Sequence, residues 1–396
     1  MPVRVLINPG AGAAAASKAL IDSAVSLLYT HLGHEIDVQT SLSAEHLGDL
    51  AGEFVGENVK TSTDLTLVAC GGDGTVHEIV NALVRPVVDN PAFNPPTIRI
   101  VVVPVGTANA LYYSLFADSP TKYSLPEGAT VSVSDDDLLK LQSVLAFIQG
   151  GTQQLAVSRT RLLSAAGGLA GSIVSFVVTS TSLHASILDT AEQLRKDVPR
   201  LDRFQLAARQ NISKWYHARA VLHPGAARYD PESDAFVSLS ESDGEDLPGP
   251  FTYFVSTLNV DRLEPAFRVT PLHRSHPPRA GEMDLILMRP RRNPVCLPEG
   301  GPARAASAQT SAQVLRAAYD NGRHVRLRFD AEGGVTEGGD GPLVAEYFRC
   351  TGWDWIPEES DEDAHLVCAD GTIMSVPAGG KAVCTMLSQF TFLVCA

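Results

Sequence analysis

Residues 65–83 read Leu-Thr-Leu-Val-Ala-Cys-Gly-Gly-Asp-Gly-Thr-Val-His-Glu-Ile-Val-Asn-Ala-Leu, and they give the strongest indication of the fold. The stretch opens as an apolar run typical of a buried β-strand, and the run stops at paired glycines. Apolar residues then recur at helical spacing from Val76 to Leu83, so a helix begins near Thr75. A strand, a glycine-rich turn and a helix in this order predict one repeat of a parallel sheet covered by helices.

The same alternation extends on both sides of this stretch. Further strands are predicted at 3–7, 35–40 and 98–103, and further helices at 13–28, 43–54 and 108–116. Ser43 is a plausible N-cap of the second helix. Residues 117–135, rich in Ser, Pro and Asp, are predicted to be a linker, and residues 136–148 one more helix, ended by Gly150. Residues 1–149 are therefore predicted to form an α/β domain with a parallel sheet.

From residue 153 onward the pattern changes to many strand-like runs. These runs are 154–163, 171–179, 216–222, 251–258, 283–288, 325–329, 344–350, 365–368 and 383–394. Helices are predicted only near 190–213 and 303–319, and the acidic or glycine-rich stretches 229–246, 330–341 and 358–363 as surface loops. Many strands without regular crossovers favour an antiparallel β-sandwich, so residues 150–396 are predicted to be a second domain of that kind.

Composition excludes several classes of protein. The 396 residues are 44% hydrophobic and 19% charged, as in globular proteins, and are enough for two to three domains. A net charge of −14 argues against nucleic-acid binding and against simple electrostatic adhesion to anionic membranes. No apolar run is long enough for a membrane span, and Asn8-Pro9-Gly10 interrupts the N-terminal run that resembles a signal peptide. The six cysteines form no Cys-x-x-Cys pair. We expect a soluble, cytoplasmic protein whose oligomeric state the sequence does not indicate.

Three loops follow predicted strands of the first domain: 8–12, 71–75 and 104–109. Ligands of open parallel sheets bind at the carboxyl ends of the strands, so all three loops are expected at one edge of the sheet. Glycines allow backbone N–H groups to approach an anion, and the helix that begins near Thr75 adds its positive end. This suits a nucleotide phosphate. Asp73 fits beside phosphates if it binds Mg²⁺ or accepts a proton from an attacking hydroxyl, both of which belong to phosphoryl transfer.

The three loops resemble the motifs of one enzyme family. Residues 70–83 closely resemble the signature of diacylglycerol and sphingosine kinases, residues 104–111 resemble their next motif, and residues 7–9 their first. NAD kinases share the Gly-Gly-Asp-Gly-Thr element, whereas Pro-x-Gly-Thr-x-Asn favours the lipid kinases. The resemblance implies an ATP- and Mg²⁺-dependent enzyme with an α/β nucleotide domain and a β-sandwich domain.

The resemblance also assigns roles to individual residues. Asp73 would be the base that activates the lipid hydroxyl. Glu78, one helical turn after Thr75, would face the same site. A family threonine after the second strand also contacts phosphate, and here Thr40 fits by identity and Ser41 by spacing. The remaining nucleotide contacts would come from Asn8, Gly71, Gly72, Gly74, Thr75, Gly106, Thr107 and Asn109.

The branch of the family is indicated by two segments. Diacylglycerol kinases usually continue the third motif as Asn-Asp, whereas here Asn109 precedes Ala-Leu, as in sphingoid-base kinases. Residues 182–189 resemble the acidic substrate segment of those kinases, which would make Asp189 the partner of a protonated amine. The alternative is an ordinary carboxylate at a helix start. His184 is interpreted as structural.

Other positions depart from the family pattern. Residues 281–285 lack the first aspartate of an Asp-Gly-x-x-Asp-Leu element. Residues 368–372 resemble the family's Val-Asp-Gly-Glu, so Asp370 and Gly371 would return to the nucleotide, but Thr372 replaces the acid. The first loop has fewer glycines than the family prefers, and Lys18 is its nearest basic residue.

We therefore expect an ATP-dependent lipid kinase that phosphorylates the primary hydroxyl of a sphingoid base. Its partners would be ATP and a lipid with a free hydroxyl, and its contact with membranes would be peripheral and transient. The alternatives are a diacylglycerol kinase, an enzyme like NAD kinase, and a catalytically weak binding protein of the same fold. The arginines at 289, 291 and 292 could contact anionic head groups, although a solvated loop is the preferred interpretation.

Overall fold

The structure is a computed structural model that describes residues 1–12, 14–89, 95–116, 119, 121–127, 134–198, 202–239, 244–388 and 391–396. The chain forms two compact units. The first comprises Met1–Ala156, Leu263–Pro265 and Leu387–Ala396, and the second Val157–Arg262 and Ala266–Met386. Among the described residues, no helix has the length and apolar character needed to cross a membrane.

Strands and helices alternate along the first unit. In chain order they are β1 (Val3–Ile7), α1 (Ala14–Leu32), β2 (Asp37–Thr40), α2 (Ala44–Asn58), β3 (Asp64–Gly71), α3 (Asp73–Asp89), β4 (Thr97–Pro104), α4 (Ala110–Phe116), α5 (Asp135–Leu138), α6 (Gln142–Gln149) and β5 (Gln153–Gln154). Ser43 is the N-cap of α2, and its side chain accepts a hydrogen bond from the His46 N–H. The helix predicted at 136–148 is divided into α5 and α6. The predicted linker lies partly outside the described residues.

The core of the first unit lies between its sheet and the helices α1 and α6. β1 is flanked by β2 and β3, β3 pairs with β4, and all these pairs are parallel. Val68 and Val101 on neighbouring strands are fully buried against Ala24 and Leu28 of α1 and Leu145 of α6. Strands covered on both faces carry near-continuous apolar runs, which is why periodicity located β3 and β4 well.

The last strand of the chain belongs to this first sheet. β22 (Phe392–Val394) runs parallel to β4 and antiparallel to β5, so the strand order is β2-β1-β3-β4-β22-β5. Phe392 and Val394 are buried there, and the Ser143 hydroxyl donates to the Cys395 carbonyl oxygen at 2.7 Å. The single strand predicted at 383–394 is thus two strands in different sheets. The predicted division had placed all of residues 150–396 in the second domain.

The second unit is built mainly of strands. In chain order its elements are β6 (Val157–Leu163), β7 (Leu169–Ser175), β8 (Val178–Thr181), α7 (Ser182–Gln193), α8 (Asp202–Asn211), β9 (Ala218–Leu222), β10 (Ala227–Asp230), β11 (Ala235–Ser238), β12 (Glu245–Pro248), β13 (Tyr253–Thr257), α9 (Leu272–Ser275), β14 (Met283–Met288), α10 (Gly301–Tyr319), β15 (Leu327–Phe329), β16 (Val335–Glu337), β17 (Glu346–Cys350), β18 (Gly352–Pro357), β19 (Leu366–Ala369), β20 (Thr372–Ser375) and β21 (Lys381–Leu387).

Two antiparallel sheets form the predicted sandwich. Within the described residues, one sheet has the order β11-β10-β17-β14-β13-β8-β19-β20 and the other β12-β9-β18-β21-β6-β7. Trp353 and Trp355 of β18 are fully buried, and each indole lies 5.1 Å, between ring centroids, from the ring of Phe254 on β13. The Trp353 indole N–H also donates to the Ser256 hydroxyl at 3.1 Å. These aromatic contacts join the two sheets.

Several boundaries differ from the sequence predictions. The predicted loop 229–246 contains most of a hairpin, β10 and β11, and the start of β12, and the predicted loop 330–341 contains β16. These strands are only three or four residues long and partly exposed, so they are too short to show the apolar alternation that would reveal them. α7 begins at Ser182, eight residues before the helix predicted near 190–213. This start was not predicted because the buried first turn is rich in small Ser and Ala side chains, which give a weak apolar pattern.

Candidate nucleotide site

The three glycine-containing loops lie at one edge of the first sheet. β1, β3 and β4 are parallel neighbours, and the register pairs Ile7 with Cys70 and Gly71 with Pro104. The strands therefore end at the same level, and the loops that follow them are adjacent. This is the arrangement predicted from the order of strands and helices.

Glycines allow these loops to interlock. A Cβ added to Gly106 would lie 2.4 Å from the Gly72 Cα atom, so the second and third loops meet through bare backbone. A Cβ on Gly71 would lie 2.0 Å from the Thr75 hydroxyl oxygen. Gly12, at φ +71°, approaches the Val105 carbonyl oxygen so closely that an added Cβ would lie 2.1 Å from it. No other residue type fits these three contacts without moving the backbone.

Hydrogen bonds fix the loops to one another. The N–H groups of Val105 and Gly106 both donate to the Gly71 carbonyl oxygen, at 3.1 and 3.2 Å. The Asn8 side-chain amide donates to the hydroxyl of the buried Thr75 at 3.0 Å. Each predicted loop is therefore bonded to a neighbouring loop, and the glycine-rich turn is held by partners on both sides.

Asp73 is the first residue of α3 and is held by the third loop. Its two carboxylate oxygens accept hydrogen bonds from the backbone N–H groups of Ala110, at 2.6 Å, and Leu111, at 3.1 Å. These are the first two residues of α4. The carboxylate thus has a structural partner in addition to any role in chemistry, and the two N–H groups stabilise its negative charge.

Asn109 has a buried polar atom that the protein leaves unpaired. The residue is at φ +49°, and its side-chain amide donates to the Gly106 carbonyl oxygen at 2.9 Å. Its Oδ1 atom is buried and has no hydrogen-bond partner among the described residues. The same oxygen would lie 3.5 Å from a Cβ on Gly72, so it is directed toward the space between the two loops. A buried acceptor without a partner is costly unless a ligand satisfies it.

The remaining predicted residues of this unit differ in exposure. Gly74 and Thr107 are exposed, and Glu78 is half-buried on α3. Thr40 is exposed at the end of β2, where it pairs with Ile7. The other candidate for that position, Ser41, is buried, and its N–H donates to the Ile7 carbonyl oxygen.

Cys70, immediately before the glycine pair, is not a reactive thiol. Its side chain is fully buried, and burial raises the pKa of the thiol to about 12. The thiol therefore stays protonated at neutral pH, which removes its nucleophilicity. Cys70 acts as a small apolar residue of the core.

Asp370 and Gly371 lie in the second unit, in the turn between β19 and β20. Both have positive φ, +47° and +96°. The Asp370 carboxylate accepts hydrogen bonds from the backbone N–H groups of Phe176, Val177 and Val178, at 2.7 to 3.0 Å. It therefore holds the connection between β7 and β8, a structural role that its resemblance to a nucleotide-contacting residue did not indicate.

Asp189 lies well inside α7 rather than at a helix start. It is half-buried, and its carboxylate accepts a hydrogen bond from the Gln193 side-chain amide at 2.7 Å. His184, one turn earlier, is hydrogen-bonded through Nδ1 to the Ser180 hydroxyl at 2.7 Å, and burial lowers the pKa of its imidazole to about 4. His184 is therefore neutral at physiological pH.

His217, which the sequence analysis did not identify, joins two acidic residues of the second unit. Nδ1 lies 3.0 Å from an Asp361 oxygen, and Nε2 lies 3.1 Å from a Glu299 oxygen. Burial opposes protonation, but the two carboxylates outweigh it and raise the pKa of His217 above its usual value. Only tertiary contacts bring these residues together, so no local sequence signal reveals them.

A metal ion at the first-unit site would need ligands besides protein carboxylates. Among the described residues, no group of three His, Cys, Asp or Glu side chains is arranged to hold one.

The positions of the three loops could be predicted from the sequence, but the contacts that join them could not. The approach of Gly12 to Val105, the N–H groups of Ala110 and Leu111 on Asp73, and the unpaired oxygen of Asn109 were not foreseen. The glycine at position 12, in the loop after a strand, was the available sequence signal for the first of these contacts. The other two depend on where the α4 backbone lies, which residue types alone do not specify.

Comparisons with known proteins agree with the α/β character of the first unit. Residues 2–138 match the family model described as diacylglycerol kinase catalytic domain. The match ends inside the first unit and does not extend to the sandwich. No sequence among the curated proteins matches the chain.

Two solved structures of "a putative diacylglycerol kinase from Bacillus anthracis str. Sterne" have a similar fold. One is 14% identical with a TM-score of 0.52, and the similarity covers 99% of this chain and 95% of that chain. The other is 13% identical with a TM-score of 0.50, covering 99% and 97%. At this identity the similarity shows the shared fold alone, with an α/β unit followed by antiparallel sheets.

Proposed function

We propose that this protein is an ATP-dependent lipid kinase that phosphorylates a hydroxyl group. The observation that carries the proposal is the interlocked set of three loops at the carboxyl edge of the first sheet. These loops combine the α3 N-terminus, bare glycine backbone and an unpaired buried acceptor at one place. The match of residues 2–138 to the diacylglycerol kinase catalytic domain supports the same chemistry.

The loops are suited to binding phosphate, and their glycines keep the space between them open. The N-terminus of α3 lies in the second loop, and the helix dipole favours an anion beside it. Any side chain at position 72 or 106 would fill the space between the two loops. We assign phosphate contacts to Gly71, Gly72, Gly74 and Thr75, and the remaining nucleotide contacts to Asn8, Thr40, Glu78, Gly106, Thr107 and Asn109.

Asp73 is the proposed base. It accepts the proton of the lipid hydroxyl while the hydroxyl oxygen bonds to the γ-phosphorus and the bond to the leaving ADP breaks. The two N–H groups of α4 fix the orientation of the carboxylate. A bound Mg²⁺ ion would neutralise charge on the phosphates, and Asp73 is the residue of this site that could also contact it. Asp370 and Gly371 are candidates for nucleotide contact by resemblance alone, and the Asp370 carboxylate already accepts hydrogen bonds from three N–H groups of its own unit.

The proposed substrate is a sphingoid long-chain base, with diacylglycerol as the alternative. Asp189 is a half-buried carboxylate of α7, and it accepts a hydrogen bond from the neutral Gln193 amide, which leaves its charge available for a protonated amine. The third motif, Asn-Ala-Leu, supports the same branch. The alternative is diacylglycerol, because residues 2–138 match the model of the diacylglycerol kinase catalytic domain.

The test is phosphoryl transfer from labelled ATP to a panel of sphinganine, diacylglycerol and NAD with Mg²⁺. Transfer to a lipid supports the proposal, whereas transfer to NAD alone would replace it with an enzyme like NAD kinase. ATP binding without any transfer would indicate a binding protein. Asp189→Ala should reduce activity on sphinganine more than on diacylglycerol, and an equal loss would remove Asp189 from head-group recognition.

A further inference from the structure

The segment 291–298 of the second unit carries a concentration of exposed apolar residues. Pro294, Val295, Leu297 and Pro298 are all exposed, with 48% of Val295 and 59% of Leu297 accessible. Single apolar residues on a surface are ordinary, but four within five positions form a patch. We call this segment the apolar loop.

Buried residues hold the apolar loop in a fixed conformation. Asn293 is 2% exposed, its Oδ1 atom accepts from the Val295 N–H at 3.0 Å, and its amide donates to the Gly333 carbonyl oxygen at 3.1 Å. Cys296 is fully buried, and its thiol donates to the Ala303 carbonyl oxygen at 3.5 Å. The exposed side chains thus project from an anchored backbone, so binding through them costs little conformational entropy.

Arginines surround the base of the apolar loop. Arg289 makes two hydrogen bonds to the buried Glu346, at 2.8 and 2.9 Å, and Arg292 lies 3.2 Å from the same carboxylate. Arg291 and Arg228 are exposed. Burial lowers the pKa of Arg292, the Glu346 carboxylate opposes this shift, and the positive charges of Arg289 and Arg228 add to it.

The local charge stays positive after the nearby carboxylates are counted. Four carboxylates lie beside the loop: Asp330 and Glu332 of the turn that receives the Asn293 amide, Glu346, and Glu299, which directly follows Pro298. The four arginines and Arg304, which donates to Glu299 at 2.7 Å, give five positive charges. The whole chain, by contrast, has a net charge of −14. A positive, apolar surface on an acidic protein complements an anionic, apolar partner.

We propose that the apolar loop and its arginines are a docking surface for an anionic lipid bilayer. Four small side chains cannot bury the roughly 800 Å² per partner of a stable protein interface, but they are sufficient for shallow insertion at the headgroup boundary. The choice of a bilayer over another partner rests on the proposed function, because a lipid kinase must reach a substrate that resides in membranes. Arginine beside inserted apolar side chains adds attraction to anionic headgroups.

The experiment is cosedimentation of the full chain with phosphatidylcholine vesicles, with and without phosphatidylserine. We expect binding that is stronger with phosphatidylserine. The double variant Val295→Ser/Leu297→Ser should weaken it at least about tenfold. Arg291→Gln should weaken it about fivefold, and only with phosphatidylserine. The matched control is Leu169→Ser on β7, which removes a leucine of the same exposure, 59%, and should bind like the unmodified protein.

Three outcomes of the vesicle experiment would overturn the proposal. They are no binding by the unmodified protein, equal binding by the double variant, and an equal loss in the Leu169→Ser control. A concentration-dependent dimer that the double variant abolishes would also overturn it, by making a second copy of the chain the occupant. Vesicle binding is measured without ATP, so it separates from the proposed function: a chain that docks but transfers no phosphate refutes the kinase and leaves the docking surface in place.

Discussion

Replacing Asp73 with asparagine tests chemistry and structure at the same residue. The carboxylate accepts from two N–H groups of α4, at 2.6 and 3.1 Å. The uncharged amide of asparagine has one acceptor oxygen, so one N–H keeps a weaker bond and the other faces an NH₂ group. Loss of a charged hydrogen bond and an unpaired donor together cost roughly 1–3 kcal/mol. At about 2–4 °C per kcal/mol, the melting temperature of the first unit should fall by about 2–12 °C.

The effect of Asp73→Asn on turnover should be much larger than instability alone can explain. A protein stable by about 5–15 kcal/mol remains almost entirely folded at assay temperature after such a loss. If Asp73 is the base, turnover should nevertheless fall by about 10²-fold or more, while ATP still binds. The assays are labelled-phosphate transfer to sphinganine, calorimetric ATP binding and thermal unfolding.

The control for this prediction is Asp49→Asn. Asp49 is an exposed aspartate on α2 of the same unit, so its substitution should change neither turnover nor melting temperature. Turnover of Asp73→Asn within a few-fold of the unmodified enzyme would refute its role as base. An unchanged melting temperature would refute the structural role of its two hydrogen bonds. The two roles are therefore tested independently.

Three further predictions concern loop contact, pH and the turn of the second unit. Gly106→Ala should weaken ATP binding at least about tenfold and destabilise the first unit by about 1–3 kcal/mol, because the added Cβ would collide with the facing loop. The control, Gly52→Ala, lies in open space on α2 and should be neutral or stabilising. Equal effects of the two substitutions would contradict this prediction. Because the pKa of His217 is raised in the folded state, its stabilising contribution is complete below about pH 6.5 and is lost as pH rises through the folded-state pKa. His217→Gln should therefore flatten the decline in unfolding temperature from about pH 6 to 8. A profile parallel to that of the unmodified protein would contradict this prediction. Asp370→Asn should lower the stability of the second unit by about 1–3 kcal/mol, because it weakens three hydrogen bonds. ATP affinity is then measured on the folded variant. An unchanged affinity would make Asp370 structural only, whereas a large loss would support nucleotide contact.

Local patterns in the sequence were sufficient for most of the first unit. β3, α3 and β4 could be predicted because apolar periodicity and the glycine punctuation are written into consecutive residues. The convergence of the three loops followed as well, since parallel strands must end at one edge of their sheet. The character of the second unit was also predictable, although its short edge strands, such as β11 and β16, were not.

Long-range contacts decided the features that the amino-acid order left open. The periodicity of residues 392–394 identifies a strand but does not say which sheet has a free edge for it, and β22 joined β4 rather than the sandwich. The carboxylates of Asp73 and Asp370 bind backbone N–H groups 37 and about 190 positions away in the chain. A residue type reveals that a group can accept hydrogen bonds, whereas the donor it meets depends on how distant backbone segments pack.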